Sequence, residues 1–173
     1  VMVDARPFNA RFTQPVVDHC KYFIASQCDP TTFEGLPKDR TYIWHTSAEL
    51  LNDILAKQYR TWYPVPGGST VLLRAIPLFR MLGFKQFHLF GCDSCLDNEV
   101  HHAYEQIEND GQLSIPVNVG GKIFNCNPWM ISQAQEFIDL IRMLGDEIEL
   151  NIYGGLLRHI LETGASSADI KEI

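Results

Sequence analysis

Residues 67 to 93 read GGSTVLLRAIPLFRMLGFKQFHLFGCD, and this stretch decides the class of fold. Apolar residues recur at helical spacing from about Ser69 to Leu82, and Gly83 is a residue that commonly ends a helix. Residues 84 to 90 (FKQFHLF) follow as a strand of alternating character. A helix that leads directly into a strand is typical of an α/β protein.

The same alternation of strands and helices continues on both sides of that stretch. Ser47 is a plausible N-cap for one helix, Pro128 opens a long one, and Gly120-Gly121 is the strongest hairpin signal. We therefore predict one Rossmann-like domain over residues 1–173, with a doubly wound, mostly parallel sheet and an inserted β-hairpin. The predicted strands are 1–5, 21–26, 41–45, 84–90, 114–119, 122–126 and 147–153, and the predicted helices are 48–57, 69–82, 128–144 and 156–162.

The composition excludes several classes of partner. The chain has 14 basic and 21 acidic residues, a net charge of -7, and no Lys/Arg cluster, so nucleic acid is not expected as a partner. The longest apolar stretches fall short of the roughly 20 residues that a membrane span needs. Five cysteines without a secretory signal indicate reduced thiols and a cytoplasmic protein, which could form a homo-oligomer.

Residues Gly67, Gly68, Ser69 and Thr70 stand directly before the strongest helix, and they are candidates for phosphate binding. The first N–H groups of a helix lack partners within the helix, and the helix dipole is positive there, so a phosphate or carboxylate is favoured. The alternative is an ordinary loop that ends in a Ser N-cap. Neither the Walker pattern nor G-x-G-x-x-G is present.

A second turn, Gly91-Cys92-Asp93-Ser94, follows the strand at 84–90. Ligands of doubly wound sheets bind at the carboxyl ends of the strands, so we expect Gly91, Asp93 and Ser94 to meet the glycine turn at 67–70. Asp93 could hold a ribose hydroxyl, a Mg²⁺ ion or a substrate amine, or act as a catalytic group. The alternative is that Asp93 caps the next turn.

Other polar residues are expected at the same edge of the sheet. Asp4 lies at the end of the first predicted strand, and Arg6 and Asn9 follow it. All three are candidates to line the cleft, and an arginine fork could pair with a phosphate. His45 closes the third strand, and His102 lies in a long polar stretch, so either could act as a general acid or base. The alternative is that these are ordinary surface residues. Cys92-x-x-Cys95 is a weak zinc pattern because a second pair is missing.

Five motifs together resemble one known family. They are V-D-x-R-x-x-N-x-R-F at 3 to 12, G-G-S-T-V at 67 to 71, L-G-F-K at 82 to 85, H-L-F-G-C-D-S at 88 to 94 and H-A-Y at 102 to 104. With these motifs the chain resembles the MptE-like 6-hydroxymethylpterin diphosphokinase family, whose Rossmann-like core is shared with bacterial motility accessory factors. The resemblance runs from the first residue to about Leu157.

The resemblance implies a transferase that uses a nucleotide donor. It carries Gly68, Ser69 and Asp93 over to nucleotide binding and makes Asp4 a metal or substrate contact, with Mg²⁺ held near Asp4 or Asp93. Tyr104 becomes a candidate substrate contact. Family members also have a Gly-Pro-Ser turn upstream, which this sequence lacks, so we expect a truncated amino end.

Three functions remain open from the sequence. The first is transfer of diphosphate from ATP to a pterin-like alcohol, as the family name implies. The second is transfer of a sugar from a CMP-sugar in surface or flagellar glycan synthesis. The third is a noncatalytic module that binds a nucleotide or a sugar.

Overall fold

A computed structural model describes residues 1–96 and 113–173. The chain has a mixed α/β fold and divides into two compact units, Val1–Leu78 and Phe79–Ile173. The prediction of one domain over residues 1–173 stays a prediction, and each unit is described by itself.

Unit 1 is built around a pair of parallel strands. Strand β1 (Tyr22–Ala25) pairs in parallel with β2 (Thr41–Trp44), which confirms the strands predicted at 21–26 and 41–45. Helix α1 (Glu49–Gln58) and most of helix α2 (Val71–Met81) follow, and the unit ends within α2. Short 3-10 helices occupy Pro7–Phe12, Pro30–Phe33 and Lys38–Arg40.

Two single-residue bridges extend the strand pair of unit 1. Met2 bridges Ile24 and Thr46 bridges Val65, both in parallel. The predicted strand at 1–5 is thus reduced to the bridge at Met2. Apolar residues of β1 and β2 and of the segments around them form the core of the unit. Its buried members are Tyr22, Ile24, Ala25, Cys28, Trp44, Val65 and Leu78.

Unit 2 contains a parallel pair and an antiparallel sheet of three strands. Strand β3 (Gln86–Phe90) pairs in parallel with β6 (Glu149–Tyr153). Strand β4 (Ile115–Val119) lies between β5 (Lys122–Cys126) and β7 (Ile170–Glu172). Helices α3 (Pro128–Leu144) and α4 (Gly155–Thr163) bury their apolar faces in this unit, and 3-10 turns occupy Gly145–Glu147 and Ser167–Asp169.

The turn residues explain why several elements end where the sequence predicts. After α2, Gly83 has φ +96°, its N–H donates to Arg80, and Phe84 donates to Phe79. This pair of bonds is the Schellman motif, and the rings of Phe79 and Phe84 pack edge to face beside it. The predicted hairpin is also confirmed, since Gly120-Gly121 joins β4 to β5 with positive φ at both glycines.

The predicted start of α1 is wrong. Ala48, without a side-chain cap, precedes Glu49, whereas Ser47 was the expected N-cap. The Ser47 N–H donates to the Val65 carbonyl at 2.9 Å, so Ser47 still belongs to the extended pairing of the Thr46 bridge. The sequence pattern around Ser47 does not show this long-range partner. The short strand β7 was also missed, because its three residues lie in a polar tail.

The buried face of α3 can be tested by truncating Phe137, whose side chain has no exposed surface. We expect Phe137→Ala to lower the free energy of unfolding by about 3–5 kcal/mol, through lost apolar burial and a cavity. Urea denaturation measures the change. Met143→Ala on the same helix is the matched control, because Met143 is 52% exposed, and a loss as large as that of Phe137→Ala would contradict this account.

Candidate functional site

A cleft of about 610 Å³ in unit 1 brings together several of the residues that the sequence selects. Asp4, Asn9, Ser69 and Thr70 line it, and Gln27 and Phe12 lie there as well. Its size lies in the range typical of small-molecule sites. The fold thus brings together candidate residues that lie far apart in the sequence. Gln27 and Phe12 were not among the candidate site residues predicted from the sequence.

Pairing with β1 places Asp4 and Gln27 at the same edge. The Met2 N–H donates to Phe23, and the Ala25 N–H donates to Met2, both at 2.9 Å, so residues after Met2 run alongside the end of β1. Gln27 follows β1 directly, and its amide oxygen accepts a hydrogen bond from the Thr46 hydroxyl at 2.6 Å. Both side chains therefore belong to the carboxyl edge of the parallel pair, where ligands of α/β sheets bind.

Arg6 neutralises the carboxylate of Asp4. The Arg6 Nε donates to both carboxylate oxygens, at 3.0 and 2.8 Å, and the Arg6 main-chain N–H donates to Oδ1 at 3.0 Å. These bonds, together with a smaller contribution from the Asn9 side chain, lower the pKa of Asp4 to about 2. Asp4 is therefore ionised at neutral pH and is a weak proton acceptor.

Asn9 is the most enclosed polar residue of the cleft. Only 5% of it is exposed, and its amide nitrogen makes no hydrogen bond of normal geometry. A buried amide donor without a good partner costs free energy, so it is available to a ligand that offers an oxygen. The prediction of Asn9 as a substrate contact stays a prediction, but its position in the cleft agrees with it.

Thr70, and not Ser69, caps helix α2. The Thr70 hydroxyl accepts a hydrogen bond from the Leu73 N–H at 3.2 Å, and the Thr70 carbonyl accepts one from the Arg74 N–H. Ser69 is exposed at the cleft just before the cap. The local sequence does not separate Ser69 from Thr70 as the cap, since both residue types are good N-caps.

Packing within the loop before α2 requires a glycine at position 67. Gly67 has φ +123°, and a Cβ there would overlap the carbonyl of Leu73. The Arg74 side chain also holds this loop. Its Nε donates to the Gly68 carbonyl at 2.7 Å, and its Nη1 donates to the Val65 carbonyl at 2.9 Å. The glycine turn therefore has a structural reason independent of any ligand, and its predicted role in phosphate binding stays a prediction.

The cost of a side chain at position 67 can be measured. We expect Gly67→Ala to lower the free energy of unfolding by about 2–4 kcal/mol, because it adds an overlap with α2 to the strain of positive φ. Gly83→Ala is the matched control, since Gly83 also has positive φ but open space where a Cβ would lie, and it should lose only about 1 kcal/mol. Equal losses in thermal or urea denaturation would exclude the overlap as the cause.

The pKa of Asp4 provides a second test of this site. Arg6→Gln should raise it from about 2 toward the ordinary value of 3.8, as followed by NMR titration of the carboxyl carbon. Because the folded pKa is lowered, the pair stabilises the fold above pH 4 and loses this contribution as the pH falls toward 2. The pair is exposed, so we expect less than about 1 kcal/mol. Arg11→Gln is the control, and a shift of the same size there would contradict the assignment to Arg6.

His45 lies apart from the described lining of the cleft. It follows β2, its Nδ1 is 2.8 Å from the Ser26 hydroxyl, and its ring lies 6.3 Å from that of Tyr59. These contacts are sufficient to give His45 a purely structural role, which is to connect the end of β2 to Ser26. Its prediction as a catalytic group stays open.

In unit 2, the predicted turn at Gly91–Ser94 is built into the start of α4. The main-chain carbonyl of Asp93 accepts hydrogen bonds from the N–H groups of Leu156 and Leu157, at 2.7 and 3.4 Å. The lack of a side chain at Gly155 permits this contact, because a Cβ there would overlap the Asp93 main chain. Asp93 thus lies at the amino end of α4.

The rest of this turn is held by side chains of unit 2. Ser94 has φ +48°, and its hydroxyl is 3.4 Å from the amide oxygen of Gln133. The Cys126 thiol donates to the Ser94 carbonyl at 3.5 Å. Burial raises the pKa of Cys92 and of Cys126 to about 12, so both thiols are protonated at neutral pH and are poor nucleophiles.

The other predicted site residues either belong to different units or lie outside the residues that the structure describes. Gly67–Thr70 belong to unit 1 and Gly91–Ser94 to unit 2, so their predicted meeting stays a prediction. His102 and Tyr104 fall within 97–112, outside the described residues. In residues 1–96 and 113–173, no group of three or more His, Cys, Asp or Glu side chains could hold a metal ion.

No helix in the described part of the chain is both long and apolar enough to span a membrane. No protein-family model matches the chain, and no curated protein or solved structure matches it either. The candidate site therefore stands on the geometry of its own residues.

Proposed function

We propose that this chain is a transferase that uses a nucleotide as phosphate donor, on a Rossmann-like, doubly wound and mostly parallel sheet. The observation that carries the proposal is the cleft of unit 1, where Asp4, Asn9 and Gln27 lie with Ser69 and Thr70 at the start of α2. A helix start supplies N–H donors to phosphates, and the amides and hydroxyls suit ribose or phosphate oxygens. The resemblance to MptE-like diphosphokinases selects diphosphate transfer from ATP to a pterin-like alcohol.

Diphosphate transfer from ATP to an alcohol requires little acid or base catalysis from the protein. The alcohol oxygen attacks the β-phosphorus of ATP, the bond between the α- and β-phosphates breaks, AMP leaves, and the alcohol proton passes to solvent. Positioning and electrostatic stabilisation supply most of the catalysis in phosphoryl transfer. Asp4 with a pKa of about 2 is suited to orienting a ligand and not to moving a proton.

The Gly91–Ser94 turn of unit 2 carries proposed roles of its own. We propose Asp93 as a contact for ribose or metal, as the family resemblance implies, and Gly91 and Ser94 as phosphate contacts. His102 or His45 is proposed as acid or base, and Tyr104 as a contact of the acceptor.

Among the described residues, magnesium is proposed to bind together with a nucleotide. Both oxygens of Asp4 are engaged by Arg6, and the described residues offer no metal group of their own. Mg²⁺ is usually held by one or two carboxylates and by substrate phosphates, so Asp4 or Asp93 would hold it with ATP present. Bound there, it would neutralise charge on the phosphates.

A noncatalytic nucleotide-binding module is the second candidate. It is favoured by the low pKa of Asp4 and by the bond from His45 to Ser26, which leave no described base directed at the cleft. CMP-sugar transfer would need such a base for its acceptor, which His102 would have to supply. A cytoplasmic location and self-association also remain proposals.

Thermal shift of the chain with ATP, CMP and a CMP-sugar, each with and without Mg²⁺, tests nucleotide binding. A ligand at 100 times its Kd stabilises the fold by about 2.7 kcal/mol, so we expect ATP with Mg²⁺ to raise Tm by several degrees. Ser69→Ala should raise the Kd for ATP about three- to tenfold by removing one hydrogen bond. Ser47→Ala, away from the cleft lining, is the matched control.

Product analysis separates the candidate functions. AMP formed from ATP in the presence of a hydroxymethylpterin supports diphosphate transfer, whereas CMP released from a CMP-sugar supports glycosyl transfer. Binding without either product supports the noncatalytic module. If no nucleotide shifts Tm, the nucleotide site is wrong.

A further inference from the structure

The 3-10 helix Pro7–Phe12 carries a stack in which arginines alternate with phenylalanines. The Arg6 guanidinium lies 4.7 Å from the centre of the Phe8 ring, and that of Arg11 lies 5.0 Å from the same centre. Arg11 also lies 4.8 Å from the centre of the Phe12 ring. The order of the stack is therefore Arg6, Phe8, Arg11 and Phe12, and each contact is of the cation–π type.

Both ends of this stack return to the cleft. At one end, Arg6 holds Asp4, and Asp4 lines the cleft. At the other end, Phe12 lines the cleft itself, although 60% of the residue is exposed to solvent. Phe8, in the middle, is absent from the described lining. The stack thus places the exposed ring of Phe12 at the cleft, with the Arg11 guanidinium packed against it.

The stack contains positive charge in a chain whose net charge is -7. Arg6 is paired with Asp4, and Arg11 packs on both phenylalanine rings. A ring held by a cation loses less conformational freedom when a ligand packs on it. A flat ring joined to an anionic group fits this combination.

We infer that Phe12 is the surface on which the base of the bound nucleotide stacks, with Arg11 holding the ring through its contacts in the stack. This inference rests on the proposed nucleotide site and identifies which part of the ligand the amino-terminal segment recognises. Base stacking on an aromatic ring depends little on which base is present, so ATP and CMP both fit. Ribose and phosphates then extend toward Asn9 and Ser69.

Isothermal titration of the whole chain with ATP, CMP and ribose 5-phosphate tests this inference, because ribose 5-phosphate lacks a base. Phe12→Leu should raise the Kd for ATP and for CMP about tenfold, since stacking on an aromatic ring is lost. The Kd for ribose 5-phosphate should stay within about twofold, since its phosphate contacts are retained. Phe12→Tyr should keep the affinity of the wild type for all three.

Tyr63→Leu is the matched control, since Tyr63 is also an exposed aromatic residue of unit 1 but belongs neither to the stack nor to the described cleft lining. Circular dichroism melts confirm that each variant is folded at the titration temperature. The stacking proposal is overturned if Phe12→Leu weakens ribose 5-phosphate as much as ATP, if it leaves ATP unchanged, or if Tyr63→Leu reproduces its selective effect. If the wild type binds no nucleotide, the proposed function fails together with this inference; if it binds nucleotides and Phe12→Leu is silent, only the inference fails.

Discussion

The position of the candidate site depends on how Val65 is held. Its N–H donates to His45, and its carbonyl accepts hydrogen bonds from the Ser47 N–H and from the Arg74 guanidinium. One buried residue therefore ties the extension of β2 to the first turn of α2. Because Arg74 also binds the Gly68 carbonyl, the loop before α2 has little freedom. Ser69 and Thr70 are consequently placed at the carboxyl edge of the strand pair by main-chain bonds and one arginine.

The sequence predicts elements well where a local signal decides them. Gly83 ends α2 because the left-handed conformation favours glycine, and Gly120-Gly121 makes a tight hairpin for the same reason. It fails where a distant residue decides the outcome. Ser47 is a good N-cap by type, but its main chain continues the extended pairing with Val65, and the helix begins two residues later at Glu49.

The same distinction explains the site. Asp4 and Asn9 could be selected because polar residues that follow a strand collect at one edge of the sheet, and the cleft contains both. Gln27 has the same signal, since it follows β1, but a single glutamine after a strand is common. The roles of Gly67 and of the Asp93 main chain could not be predicted, because each depends on close contact with a residue that the local pattern does not reveal.

Local charge, and not net charge, decides whether an anion can bind here. At physiological ionic strength the Debye length is about 8 Å, so most of the acidic surface is screened from a ligand in the cleft. Aromatic contacts hold the guanidinium groups of Arg6 and Arg11 in place. The Asp4 carboxylate is bound by the main-chain N–H of Arg6 as well as by its side chain, so Asp4 keeps its position at the cleft through a local bond that does not depend on the guanidinium alone.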